Sequence, residues 1–140
     1  MTKKILLGLL ALTLSVVAIY AVDTKYNVSS VSQNSGAEIT FDTLRINAGT
    51  FPSNKPIQEY RFRFKNTGNA PLILNQVIAT CGCTVPSYPK NPIKPGESGV
   101  IEVTYNGTNK FPGHFAKTVT VRSNAQTGIV RLTVEGTMTK

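Results

Sequence analysis

Tryptophan is absent from this chain, histidine occurs once and cysteine only twice. Without Trp and without a widely spaced cysteine pair, an antibody-type domain with its inter-sheet disulfide is excluded. The sole histidine, in Pro112-Gly113-His114-Phe115, leaves no defensible Ser-His-Asp arrangement and reads as an exposed turn residue. Acidic residues number seven and are dispersed. A paired-carboxylate hydrolase or a calcium loop would need them to converge. No glycine-rich phosphate loop and no G-x-S-x-G elbow occurs. Lys and Arg outnumber the acids to give a formal charge of +8, yet beyond Lys4 they stand singly. That spacing describes solvated faces with a mild attraction to anionic surfaces. Without a basic cluster, nucleic acid is not an expected partner.

One long apolar run is present, at the start. Lys3 and Lys4 precede Ile5 to Ile19, broken only by Gly8, Thr13 and Ser15. Tyr20-Ala21 then opens onto the polar Val22-Asp23-Thr24-Lys25. This is the pattern of a signal peptide over residues 1–21, cleaved after Ala21. The run is short of the roughly 20 apolar residues of a membrane span. An uncleaved signal segment is the competing reading, and the only route to a membrane. No cysteine lies near the cleavage point, which excludes a bacterial lipoprotein anchor. Residues 22–36 are rich in Ser and Asn and read as a flexible polar spacer. Residues 37–140 suffice for one domain with its own core.

Within that domain the hydrophobic period is two. Tyr60, Phe62 and Phe64 alternate with Arg61, Arg63 and Lys65, which predicts a strand with its aromatic side inward. Ile101, Val103 and Tyr105 repeat the pattern, as do Val119 and Val121, and Val130, Leu132 and Val134. Ile39 and Phe41 are out of phase with Leu44 and Ile46, predicting a bulge or a change of sheet near Asp42-Thr43. Leu72 to Ala79 is more continuously apolar and predicts a central strand. Turn chemistry separates the runs, as in Asn66-Thr67-Gly68-Asn69 and Lys94-Pro95-Gly96-Glu97. Gly68, Gly96 and Gly107 are expected to supply positive φ, Asn66 to fold onto its own backbone, and Glu97 to serve the Pro95-Gly96 turn. About seven short strands in this length read as an all-β, immunoglobulin-like antiparallel sandwich.

The most distinctive chemistry is Cys81-Gly82-Cys83. In a straight strand, residues i and i+2 place their Cα atoms about 6.5–7 Å apart, the outer limit for a disulfide. A tight turn or bulge at Gly82 would relax this and close a small ring, expected to be easily reduced. Three uses follow: a structural bridge or inert thiols, a thiol–disulfide exchanger, or a pair of soft-metal ligands for Cu(I) or Zn(II). Two thiolates are too few for structural zinc, and His114 would add a third ligand only where the fold brings it near.

The order of these motifs resembles a known family. Phe62-Arg63-Phe64-Lys65-Asn66-Thr67-Gly68-Asn69-Ala70-Pro71-Leu72 is similar to the F-x-F-x-N-T-G-x-x-P-L opening of the secreted bacterial domain-of-unknown-function family 1573. Thr80 to Thr84, Ile93 to Glu97, Gly113 to Val121 and Leu132 to Gly136 follow in that family's order. The resemblance covers Ala37 to Gly136. It implies a sandwich of the Hydin and sperm-protein type and export by bacteria of the Bacteroidota kind, and it supplies no activity. Asp42-Thr43-Leu44 also resembles the short acceptor of O-glycans in secreted Bacteroidota proteins, which makes Thr43 a candidate modification site.

Together these readings predict an exported, periplasmic or extracellular, non-enzymatic module that binds protein or cell-envelope components and carries no cofactor. The alternative is a small thiol-redox or soft-metal-binding protein centred on Cys81 and Cys83.

Overall fold

The runs of period two are strands in the computed structural model, which describes residues 36–140. The expected signal peptide and all but the last residue of the expected spacer lie outside the described residues. Eight strands follow one another: β1 (Ile39–Phe41), β2 (Arg45–Pro52), β3 (Ile57–Asn66), β4 (Leu74–Ala79), β5 (Thr84–Ser87), β6 (Ser98–Asn106), β7 (Gly113–Ser123) and β8 (Ile129–Thr139). One sheet runs β1-β3-β6-β5 and the other β2-β8-β7-β4. No helix occurs among the described residues. The architecture is the immunoglobulin-like sandwich expected from the alternation.

Alternation explains the core. β3 and β6 pair antiparallel from Ile57 opposite Asn106 to Lys65 opposite Ser98. That register turns Phe62, Phe64, Ile101, Val103 and Tyr105 to the interior. On the outer face Arg61 stands directly opposite Glu102, their charged groups 3.1 Å apart. β7 and β8 send Val119, Val121, Leu132 and Val134 inward from the second sheet. One end of the interior is closed by aromatic rings. Tyr105 and Phe115 stack with centroids 4.2 Å apart, and Phe51 meets both edge-on.

The parity change near Asp42-Thr43 is a change of sheet: Phe41 pairs with Phe64 in one sheet and Arg45 with Thr133 in the other. Having crossed, β2 pairs parallel with β8, the one parallel ladder among otherwise antiparallel pairs of named strands. The Leu72–Ala79 run differs from expectation. β4 is an edge strand, bonded only to β7, and Ile73 and Ile78 are exposed. Its continuous apolarity reflects a solvent-facing side with isoleucines on it rather than burial on both faces.

Two turns carry the framework. In Lys94-Pro95-Gly96-Glu97, Glu97 N–H donates to Lys94 O at 3.0 Å and Gly96 has φ +81°, as a type II turn requires of its third residue. The Glu97 carboxylate accepts from Lys94 N–H at 3.0 Å, so it serves the turn as expected. Asn66, fully buried, does more than bond its own backbone. Its Oδ1 accepts from Gly68 N–H at 3.0 Å and Glu38 N–H at 3.4 Å. Its Nδ2 donates to Ala70 O at 2.8 Å and Ile93 O at 2.9 Å. One amide thus ties β1, the end of β3 and the segment before β6 together. Gly68 and Gly107 do not have the positive φ expected of them. Gly68 is required for a different reason, because a Cβ there would run into Gly36 O and Glu38 N.

Candidate functional site

The Cys81-Gly82-Cys83 loop lies where the chain leaves β4 in one sheet and enters β5 in the other. Thr80 N–H still bonds Thr118 O on β7 at 3.0 Å. The backbone then turns, with Thr84 N–H donating to Cys81 O at 3.1 Å. Asn106 N–H, at the end of β6, donates to Cys83 O at 2.8 Å. The turn brings the two Cα atoms to 5.3 Å, inside the range a disulfide spans, and the sulfurs are bonded to each other. Gly82 is exposed; its φ is not positive and a Cβ on it would meet nothing within 4 Å, so the tip of the loop faces open space. Both cysteines are half-buried, and Cys83 packs against the core.

Behind the bridge sits Thr84. It is buried, and its Oγ1 lies 3.8 Å from Sγ of Cys81 and 3.8 Å from Sγ of Cys83. Disulfide sulfurs carry no hydrogen, so the hydroxyl is the donor in both contacts. Sequence reasoning missed this residue. A threonine after a cysteine carries no signal of its own, and its role depends on the turn that folds it back beneath both sulfurs.

The other candidates lie apart. His114 is the second residue of β7, exposed and paired in register with Thr137. It lines a groove of about 330 Å³ with Asn47, Glu135 and Thr137, which contains neither cysteine. Among the described residues no three His, Cys, Asp or Glu side chains converge on a metal-sized site, so His114 is not brought to the sulfurs. Thr43 is an exposed loop residue between β1 and β2. Its hydroxyl donates to Arg45 O at 2.8 Å and accepts from Arg45 N–H at 3.3 Å. An apolar groove of about 450 Å³ opens between Phe41, Leu44, Ile129 and Val130, again without a cysteine.

The four sheet edges are unequal. β1 has three residues; β5 has four and contains Pro86. β2 has a shift of register between Asn47 and Thr50 and ends at Pro52. Each is blunted in a way that discourages pairing with another chain. β4, Leu-Asn-Gln-Val-Ile-Ala, has no proline and no charge; its register also shifts, between Leu74 and Gln76, and is regular from Gln76 to Ala79.

A family model described as "Protein of unknown function (DUF1573)" matches residues 39–138. Among solved structures, a protein of unknown function from Porphyromonas gingivalis W83 is similar, with TM-score 0.66 and 16% identity over 79% of this chain and 51% of its own. This chain therefore spans about half of that protein's length. The ASH / PapD-like domain 7 of human CEP192 has TM-score 0.59 and 11% identity over 75% of this chain and 87% of its own. The periplasmic chaperone SfaE has TM-score 0.54 and 12% identity over 73% of this chain and 58% of its own. At these identities the likeness is one of fold. No curated protein matches the sequence.

Proposed function

The chain belongs to the family described as protein of unknown function (DUF1573), a membership that supplies no activity, and we propose that it is a non-enzymatic binding module, exported to the periplasm or beyond. Its partner is a protein of the cell envelope, engaged through an extended segment that adds a strand to β4. The observation that carries this reading is the inequality of the edges. Of four, only β4 combines a length above three residues with freedom from proline and charge, and its ladder runs regularly from Gln76 to Ala79. Strand addition draws affinity from the main chain and specificity from alternate side chains. Here Ile78, exposed on the outer side of β4, is an apolar contact for the incoming segment. Export is supported by Lys3, Lys4 and the apolar run that follows them. The shared sandwich of a periplasmic chaperone supports it by analogy of fold alone.

The test is a selection of displayed peptides on the purified chain, followed by amide chemical-shift mapping. Peptides of alternating apolar character are expected to perturb Leu74 to Ala79 and their partners on β7. The Ile78→Lys and Gln76→Pro variants are expected to lose binding. Binding that maps to β1, β2 or the groove at Leu44, or that survives both variants, would sink the proposal.

A further inference from the structure

We infer that the Cys81–Cys83 bridge is a thiol–disulfide exchange site for external dithiols, with Thr84 as the hydrogen-bond donor to the thiolate it releases. This activity is separate from strand addition and does not depend on it.

Three observations carry it. First, the bridge does little to hold the fold. It joins residues two apart, so the loop it removes from the unfolded chain is about as short as a disulfide can close, and the stabilisation from loop closure grows with loop length. The turn is also fixed by other bonds, from Thr80 to Thr118, Thr84 to Cys81 and Asn106 to Cys83. Second, both cysteines are only half-buried, in a loop whose Gly82 is exposed with open space beside it. Third, among the described residues the buried Thr84 hydroxyl has no hydrogen-bond partners other than the two sulfurs. Disulfide sulfur is a weak acceptor and thiolate a strong one. The hydroxyl therefore gains most of its bond only when the bridge opens, which favours the open form's thiolate and lowers its proton affinity.

The chemistry is a two-electron exchange. A thiolate of the external dithiol attacks Sγ of Cys81, which does not belong to the core-packed set. The S–S bond breaks, and its electron pair leaves on Sγ of Cys83, which the core and the Asn106 bond hold in place. The Cys83 thiolate accepts the Thr84 hydrogen bond and later a proton from water. The second thiolate of the substrate then attacks its own partner sulfur in the mixed disulfide and releases Cys81, which is protonated in turn. The substrate dithiol is oxidised to a disulfide and the protein is reduced to two thiols.

The experiment treats the folded chain with a dithiol peptide and counts free cysteines by alkylation and intact mass, with circular dichroism recorded alongside. The expected result is one peptide disulfide formed per protein reduced, with the strand spectrum unchanged. Thr84→Val is expected to slow the exchange about tenfold, since it removes one hydrogen bond to a developing charge. Thr84→Ser is expected to keep the rate. In the reduced wild-type protein, the pH dependence of alkylation is expected to place the first thiol below the free-cysteine value of about 8.5. That reading stands even if the valine variant fails to fold. A bridge that opens only in denaturant, an unchanged rate in a folded valine variant, or a first thiol at or above the free value would overturn the inference.

Discussion

At the residue scale, two buried polar groups behave in opposite ways. Asn66 satisfies its whole amide with four bonds, and of the groups it serves Ile93 O also accepts from Leu72 N–H. Asn66→Ala is expected to cost about 3 kcal/mol, because it removes four hydrogen bonds and takes that partner from the partly buried Glu38 N–H, Gly68 N–H and Ala70 O, while Ile93 O keeps Leu72 N–H. Urea unfolding at constant slope would measure it. Tyr60 is the contrary case: its buried Oη has no hydrogen-bond partner among the described residues. Tyr60→Phe removes an uncompensated hydroxyl and is expected to raise stability by about 1 kcal/mol. Burial, with a smaller contribution from Tyr105, pushes the Tyr60 phenol above its ordinary value of 10.0, and burial pushes Tyr105 up as well. The neutral phenols are therefore favoured in the folded state. Their contribution is complete below pH 10 and is lost as the pH climbs through the folded values, because the unfolded chain ionises first. A thermal melt series from pH 8 to pH 11 is expected to fall above pH 10, less steeply in Tyr60→Phe.

At the scale of the element, a strand's edge and a strand's core answer to different constraints. Ile78 is exposed on β4, so Ile78→Lys is expected to change stability by no more than about 0.5 kcal/mol while it blocks strand addition. Equal melting temperatures with unequal peptide binding would separate the two roles. Gly96→Ala places a Cβ at a φ of +81° and is expected to cost about 1–2 kcal/mol in the same melts. These differences also explain what was legible beforehand. The strands β3, β6, β7 and β8 each have one buried and one solvated face, and their alternation is visible in the residues themselves. Leu72 to Ala79 misled because an exposed Ile78 reads as interior in a one-dimensional pattern. Thr84–Ser87 gave no strand signal, since Pro86 interrupts so short a run. At the candidate site the cysteine pair was plain from spacing. The Thr84 contact was not, because it is made by a turn and not by a motif. The separation of His114 from the sulfurs likewise follows from topology, which local sequence does not record.

At the scale of the whole molecule, the interior is one cluster supplied by both sheets, with Phe62 and Ile101 from one and Val119 and Leu132 from the other. Residues 36–140 are therefore expected to unfold in a single transition, with calorimetric and van't Hoff enthalpies equal. Two resolved transitions within this region would contradict that.

β8 lies between β2 and β7 and is also the last of the eight described strands. A polypeptide is made from its N-terminus, so β2 waits through the synthesis of six later strands for its hydrogen-bonded neighbour. Closure of that sheet is scheduled by the eleven residues of β8, Ile129–Thr139. Until those residues emerge from the ribosome β2 has no hydrogen-bonded neighbour in its sheet, so the sandwich cannot close strand by strand as it is made and must wait for its eighth.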